Sequence, residues 1–483
     1  MGIGVAQPLQ LKRAAGRPFP RDQFAKPRPG MSRNALMGMG LWGLLWLGYN
    51  TGLGYAIDPT YANTTVNLVH AIRAFFPILA AWISILIIFT RSKRLFPWIM
   101  GPLGLMLLYA ITGLASSATI SIDPRDALYM GANYLAIVLV LLAIVMVEDP
   151  LPDIRLVLKF TWIVGTMITL SLLGAIPYLH AGSLAEPEAG SVGPHAYARK
   201  GVIMGMPSTR NTGFARYAAM TALVALPGLM RKGKLRVRIA WGIVFAASLY
   251  ALVLANGRTE MLAFVACLGV ILGTERAKRV VYFLVGTGAA ILLGLRGFYS
   301  KFFLFITRTG TVDLTLTGRT RLWEGGWRIL GESPWVGFGF QADRFYLGEH
   351  LHNAYLHVFL QSGFLGGGAI LLGLLIVWYY LIKYFLIKQP ADKSLIPPEI
   401  PAIFLFVTIS SVTESTFAYF SAAWLLSAPI VAYVVALNRH LHRISAKSAQ
   451  ERAQRIRLER RNSRDLRNPL NLPPPTPAGG APN

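Results

Sequence analysis

Between Thr317 and Gly368 the chain reads TGRTRLWEGGWRILGESPWVGFGFQADRFYLGEHLHNAYLHVFLQSGFLGGG. Arginines, tryptophans and histidines crowd a stretch that leads straight into a long apolar run. Polar groups are costly beside a bilayer, and those found there usually serve a function. This set suits cationic side chains that hold a phosphorylated, lipid-linked substrate while an imidazole takes a proton. His352 is the candidate for the proton. It precedes Asn353 and stands at the mouth of an apolar helix, and imidazoles exchange protons near neutral pH.

Four arginines could meet phosphate. Arg258 lies in LANGRTEML, directly after an apolar run, with Gly257 allowing a tight turn and Glu260 two residues on. Arg319 and Arg321 lie in TGRTRLW, where Trp323 and Trp327 can anchor the following helix at headgroup level. Arg319 directly follows Gly318 and is the preferred contact, although a helix would point the two arginines in different directions. Arg210, in STRNTGFARYAAM, opens another apolar run, with Arg216 one turn further. Arginine suits diphosphate because its planar fork donates two parallel bonds and its charge does not titrate. The plainer reading of each is an interfacial arginine that snorkels or pairs with a neighbouring carboxylate. Glu414, in SVTESTF, is a carboxylate within or at the end of an apolar run, and one of these arginines is its natural partner. His350, His352 and His357 could hold a metal. There is no HExxH pattern and no carboxylate at ligand spacing in sequence, so neither metal nor cofactor is expected.

The elements that position these residues are apolar helices. The chain has 483 residues, 54% of them hydrophobic and 14% charged, against about 25% charged in soluble domains. The apolar residues form blocks of roughly 16–25, long enough to cross a bilayer. Twelve spans are expected, at about 35–57, 68–90, 95–120, 127–147, 156–180, 214–230, 239–255, 261–273, 280–297, 355–387, 402–418 and 422–438. The fold class is therefore all-α and polytopic. The short eighth span predicts a tight re-entrant turn at Gly257. The tenth exceeds one straight crossing and is expected to begin as an amphipathic helix at the interface.

The net charge of +25 reads as a topology signal and not as nucleic-acid binding. With both tails in the cytoplasm, the cytoplasmic regions hold 33 of the 47 Lys and Arg, which sets the orientation. Residues 1–34 then form a basic cytoplasmic tail, 35–438 the membrane domain, and 439–483 a basic, proline-rich cytoplasmic tail whose 450–467 part could lie on anionic headgroups. The outer segments 181–213 and 298–354 are long enough to be functional. Arg210, Arg258, Arg319, Arg321, His352 and Glu414 all fall on the outer face. The single cysteine, Cys267, permits no intrachain disulfide and no thiolate cluster.

The run from Gly318 to Gly368 resembles the signature region of the O-antigen ligase and polymerase superfamily. It does so in GRTRLW, ESPWVGFGF from Glu332, HNAYL from His352 and QSGFLGGG from Gln361. The NGRTE turn at Arg258 is similar to that family's arginine–glycine motif, except that glycine here precedes arginine. TESTF around Glu414 resembles a further element. The resemblance implies a GT-C-type glycosyltransferase of the bacterial inner membrane with a large periplasmic loop between spans nine and ten. It implies an undecaprenyl-diphosphate-linked O-antigen donor and a lipid A–core acceptor. His352 would be the base, with Arg258 and Arg319 or Arg321 on the diphosphate, and no metal. Polymerases and protein O-oligosaccharyltransferases share these motifs and differ in acceptor. The modest outer loop, with no appended soluble domain, favours a ligase first and a polymerase second. A lipid-linked glycan transporter would hold its polar groups nearer the bilayer midplane. Here they gather toward one face.

Overall fold

A computed structural model of the chain describes residues 32–49, 64–182, 211–231, 233–255, 257–272, 319–386 and 396–465. The described residues form fourteen α-helices and no strand: α1 (Arg33–Leu47), α2 (Thr64–Thr90), α3 (Phe96–Ile99), α4 (Pro102–Thr119), α5 (Pro124–Val145), α6 (Leu151–Gly182), α7 (Asn211–Met230), α8 (Leu235–Ala255), α9 (Arg258–Leu272), α10 (Arg319–Leu330), α11 (Ala342–Leu347), α12 (Ala354–Leu386), α13 (Glu399–Ser410) and α14 (Ala422–Asp465). Eight are long and apolar enough to cross a membrane. They account for eight of the twelve expected spans. The first, eighth and eleventh appear as the shorter helices α1, α9 and α13, and the ninth lies outside the described residues. The chain is a polytopic membrane protein.

Most of the apolar part of α14 and of α5 is enclosed, whereas α8 and α2 are mostly uncovered. The outward faces carry Phe75, Trp82, Phe89, Ile163, Met167, Ile243 and Leu375, a surface that only lipid would cover. Inside, Trp42 and Trp424 are fully buried. The indoles of Trp42 and Trp46 both donate to Thr161 Oγ1 (3.1 and 2.9 Å), and that hydroxyl donates to Leu425 O at 3.1 Å. Hydroxyl bonds of this kind help bind helices where burial alone offers little drive. Caps fix several starts. Asp123 Oδ1 accepts from Asp126 N at 3.2 Å, and Ser421 Oγ accepts from Trp424 N at 3.1 Å.

Two spans depart from expectation. The eleventh ends at Ser410, well short of 418. Ser410 and Ser411 turn their hydroxyls onto Val407 O (3.3 and 2.5 Å), offering the backbone an alternative to further helix. Glu414 therefore sits in the turn between α13 and α14. The tenth span is not one continuous rod. Its first turns are enclosed, with His357 and Gln361 buried, and α12 breaks at Gly363 (φ 59°, ψ −165°).

That break exchanges backbone partners with the preceding loop. In a continuous helix Phe364 N and Leu365 N would donate to Leu360 O and Gln361 O. Instead Phe364 N donates to Pro334 O (2.7 Å) and Leu365 N to Trp335 O (3.1 Å). The freed carbonyls of Leu360 and Gln361 accept from Phe338 N and Gly339 N, both at 2.9 Å. A Cβ at 363 would lie 2.1 Å from Trp335 C. The ESPWVGFGF and QSGF stretches are thus two halves of one interlock, which Phe340 plugs into α4 through Phe340 N to Ser117 Oγ at 2.9 Å.

Candidate active site

His352 lies on the loop 348–353, between α11 and α12. Its backbone is left-handed, at φ 51°, a region that histidine tolerates better than most side chains. The loop is fastened on every side. Asn353 caps α12, its Oδ1 accepting from Leu356 N at 3.0 Å. Ala354 N donates to Ser411 O at 2.9 Å. Leu351 O accepts from the Trp323 indole of α10 at 3.0 Å. Asn353 thereby fixes the loop that carries His352.

Glu414 is the hub. Its Oε2 is 3.4 Å from His352 Nδ1 and 3.5 Å from an Arg216 nitrogen, and its Oε1 is 3.5 Å from Arg319. Arg319 also donates to Thr413 O at 2.6 Å. Arg216 reaches Glu260 at 3.8 Å. Two arginines, two glutamates and a histidine thus meet at one end of the bundle. Burial raises the Glu414 carboxyl. The hydrogen bond with His352 and the Arg216 and Arg319 charges outweigh that, holding it at about 2. A cavity of about 40 Å3 opens beside Arg216, lined by Tyr49, Tyr217, Tyr419 and Ser421. Glu414 Oε2 engages the Nδ1 of His352 and leaves its Nε2 for another partner, an arrangement that orients a base.

Behind His352 lies a second cluster. Asp343 of α11 is buried between His350 and His357. Its Oδ2 is 2.8 Å from His350 Nδ1 and accepts from Leu351 N at 2.9 Å, while its Oδ1 is 3.1 Å from His357 Nε2. Burial raises the Asp343 carboxyl, and the adjoining His357 and His350 reverse this and hold it well below the usual carboxylate range. Burial lowers His350, with Asp343 partly opposing. One ligand atom from each of Asp343, His350 and His357 lies within 4.8 Å of the others. The carboxylate absent at ligand spacing in sequence is therefore present in space, where the trio has the chemistry of a metal-ligand set.

The expected residues divide as follows. His352, Arg319 and Glu414 come together. Arg321, two residues from Arg319, is exposed. Arg258 opens α9 at the same end of the bundle, half-buried, after a turn in which a Cβ at Gly257 would lie 2.5 Å from Ala215 Cβ. Arg210 lies outside the described residues. Sequence reasoning missed Arg216, taken only as a companion of Arg210, and the partnership of Glu260, which pairs with Arg216. An arginine in one apolar helix and a glutamate in another were the available signal. Nothing in the sequence pointed to Asp343.

Residues 243–371 match the family model described as O-antigen ligase. That segment contains Arg258, Arg319, Arg321, Asp343 and His352 and leaves out Arg216 and Glu414. The chain is also 27% identical over 140 residues to the exopolysaccharide production protein ExoQ of Rhizobium meliloti (strain 1021). The match covers 24% of this chain and 32% of that relative.

Proposed function

Given a chain that carries a domain of the O-antigen ligase and polymerase superfamily, we propose that it is an O-antigen ligase. It moves a glycan from a polyprenyl diphosphate carrier to the lipid A–core oligosaccharide, at the periplasmic face of the bacterial inner membrane, with both tails in the cytoplasm. The observation that supports this is the shared carboxylate: Glu414 joins an imidazole to two arginines at one end of the bundle.

The donor is already activated, so the enzyme must steady the departing diphosphate and deprotonate the attacking hydroxyl. The acceptor oxygen attacks the anomeric carbon as its bond to the phosphate oxygen breaks, and the electron pair leaves on the diphosphate. Arg258 and Arg319, aided by Arg321 and Arg210, take up that charge in the role a divalent cation fills elsewhere. Nε2 of His352 takes the hydroxyl proton and later releases it to water. Glu414 keeps the imidazole in the tautomer that accepts at Nε2. A single displacement inverts the anomeric carbon and leaves no covalent enzyme intermediate.

A polymerase is the second reading, because the partial relative is named for exopolysaccharide production and not for lipopolysaccharide. Its acceptor would be a growing glycan. Deleting the gene and complementing with wild type or His352→Ala separates the two. Loss of O-antigen from lipid A–core with accumulation of long lipid-linked polymer supports the ligase. A core carrying one repeat supports an O-antigen polymerase, and an unchanged ladder refutes the ligase and points to another glycan or to transport.

A further inference from the structure

We propose that Asp343 is a positioning residue for His352, acting through both the backbone and the histidine that flank it. The inference rests on the reading above that His352 receives the proton.

The Leu351 peptide groups are gripped from two directions. Asp343 Oδ2, from α11, accepts Leu351 N–H at 2.9 Å, and the Trp323 indole, from α10, donates to Leu351 O at 3.0 Å. His352 follows directly in a left-handed conformation that costs energy unless its surroundings enforce it. The same Oδ2 engages His350 Nδ1 at 2.8 Å, and the His350 ring stands edge-on to the His352 ring with centroids 4.7 Å apart. Asp343 therefore fixes the amide of the residue before His352 and the ring beside it. Glu414 fixes the His352 ring itself from the α13–α14 turn.

The third contact shows how the carboxylate is held. Asp343 Oδ1 faces His357 Nε2 at 3.1 Å, and that nitrogen is also 2.8 Å from the Gln361 side-chain nitrogen. Assigning Gln361 the opposite amide orientation makes the set consistent. His357 Nε2–H then donates to the Gln361 oxygen beside Asp343 Oδ1, and the Gln361 amide nitrogen donates to Tyr109, whose hydroxyl donates to Ala418 O at 2.6 Å. The chain runs from α4 through α12 to α11, so the carboxylate is braced by two spans. Asparagine in its place keeps an acceptor for Leu351 N but lacks the charge that holds two imidazoles. Its effect should fall on the geometry of the base and spare donor binding.

The test uses full-length protein in detergent with a lipid-linked donor and its acceptor, comparing wild type, Asp343→Asn, Asp343→Glu and His352→Ala. Asp343→Asn is expected to stay folded at assay temperature with a lowered unfolding temperature, keep the donor KM within about twofold and lose at least tenfold in kcat. Asp343→Glu, which restores the charge, should regain part of the loss. A wild-type kcat in Asp343→Asn beside an inactive His352→Ala overturns the proposal and leaves the reading of His352 intact. A fully active His352→Ala overturns that reading instead. A raised KM at unchanged kcat would make Asp343 a substrate contact and also overturn the proposal. So would one equivalent of zinc, measured by elemental analysis, that Asp343→Asn lacks, because the trio would then be a cation site. If Asp343→Asn does not fold, Trp323→Phe carries the test. Releasing Leu351 O should produce the same loss confined to kcat, and an unaltered kcat overturns the proposal.

Discussion

Replacing Glu414 with glutamine removes one charge and little volume. The carboxyl is held at about 2 against an ordinary 4.5, which corresponds to roughly 3 kcal/mol favouring the anion. His352 and Arg319 are each about one-quarter exposed, so solvent screens part of this, and the expected loss of stability is about 2 kcal/mol. The amide would also turn N–H groups toward Arg216 and His352, both of which present nitrogen. Transfer should suffer more than stability. When an imidazole loses the carboxylate that sets its tautomer, rates fall by up to about 10⁴. The 3.4 Å contact in this protein is longer than an ideal hydrogen bond, so a loss of about 10²–10³ in kcat is expected. Glu260→Gln is the control: it also unbalances Arg216, at 3.8 Å, without touching His352. Thermal unfolding and transfer kinetics on purified variants would measure both effects. If Glu414→Gln stays folded and within threefold of wild-type kcat, or matches Glu260→Gln, Glu414 does not orient the base.

Three further outcomes are expected. Arg319→Ala should lower thermal stability by about 1–3 kcal/mol through loss of its Glu414 and Thr413 contacts, whereas exposed Arg321→Ala should stay within about 0.5 kcal/mol; equal losses would contradict the geometry. Both Glu414 and Asp343 have carboxyls depressed in the folded state. Their contribution is therefore complete above their unfolded values, 4.5 for Glu414 and 3.8 for Asp343, and is lost as pH falls, for Glu414 through about 2, so unfolding temperature should drop steeply below pH 4.5 and less steeply in Glu414→Gln. Gly363→Ala should cost about 3–6 kcal/mol, from a backbone region almost reserved for glycine and from disruption of the four exchanged hydrogen bonds; a wild-type unfolding temperature would refute the interlock.

Much of this protein is legible in its sequence because a bilayer leaves few options. Apolar runs announced α2, α5 to α8 and α12 within a few residues, and the start but not the length of α14, which continues to Asp465; the motif residues carried the superfamily resemblance that the domain match bears out. What escaped was set by contacts between distant segments. The α13 stop follows from the hydroxyls of Ser410 and Ser411 competing for Val407 O, which apolar periodicity does not register. The α12 break follows from a loop 30 residues upstream supplying partners for Phe364 and Leu365. Within the site, Arg319, His352 and Glu414 were visible as costly polar residues. Arg216 was passed over as an anchor, and Asp343 looked like any loop aspartate until His350 and His357 closed around it.

The Gly363 interlock also bears on how the protein is made. A bilayer admits only backbone whose polar groups are already satisfied, and a straight α12 meets that condition unaided. It can enter as an unbroken rod and bend afterwards, trading two internal hydrogen bonds for four shared with residues 334–339. Membrane insertion and assembly of the site are then separate events. A chain arrested between them would be full-length, correctly threaded and resistant to extraction. It would still be inert, because the segment carrying Asp343 would have nothing to dock against. Quality control that inspects only topology would pass it.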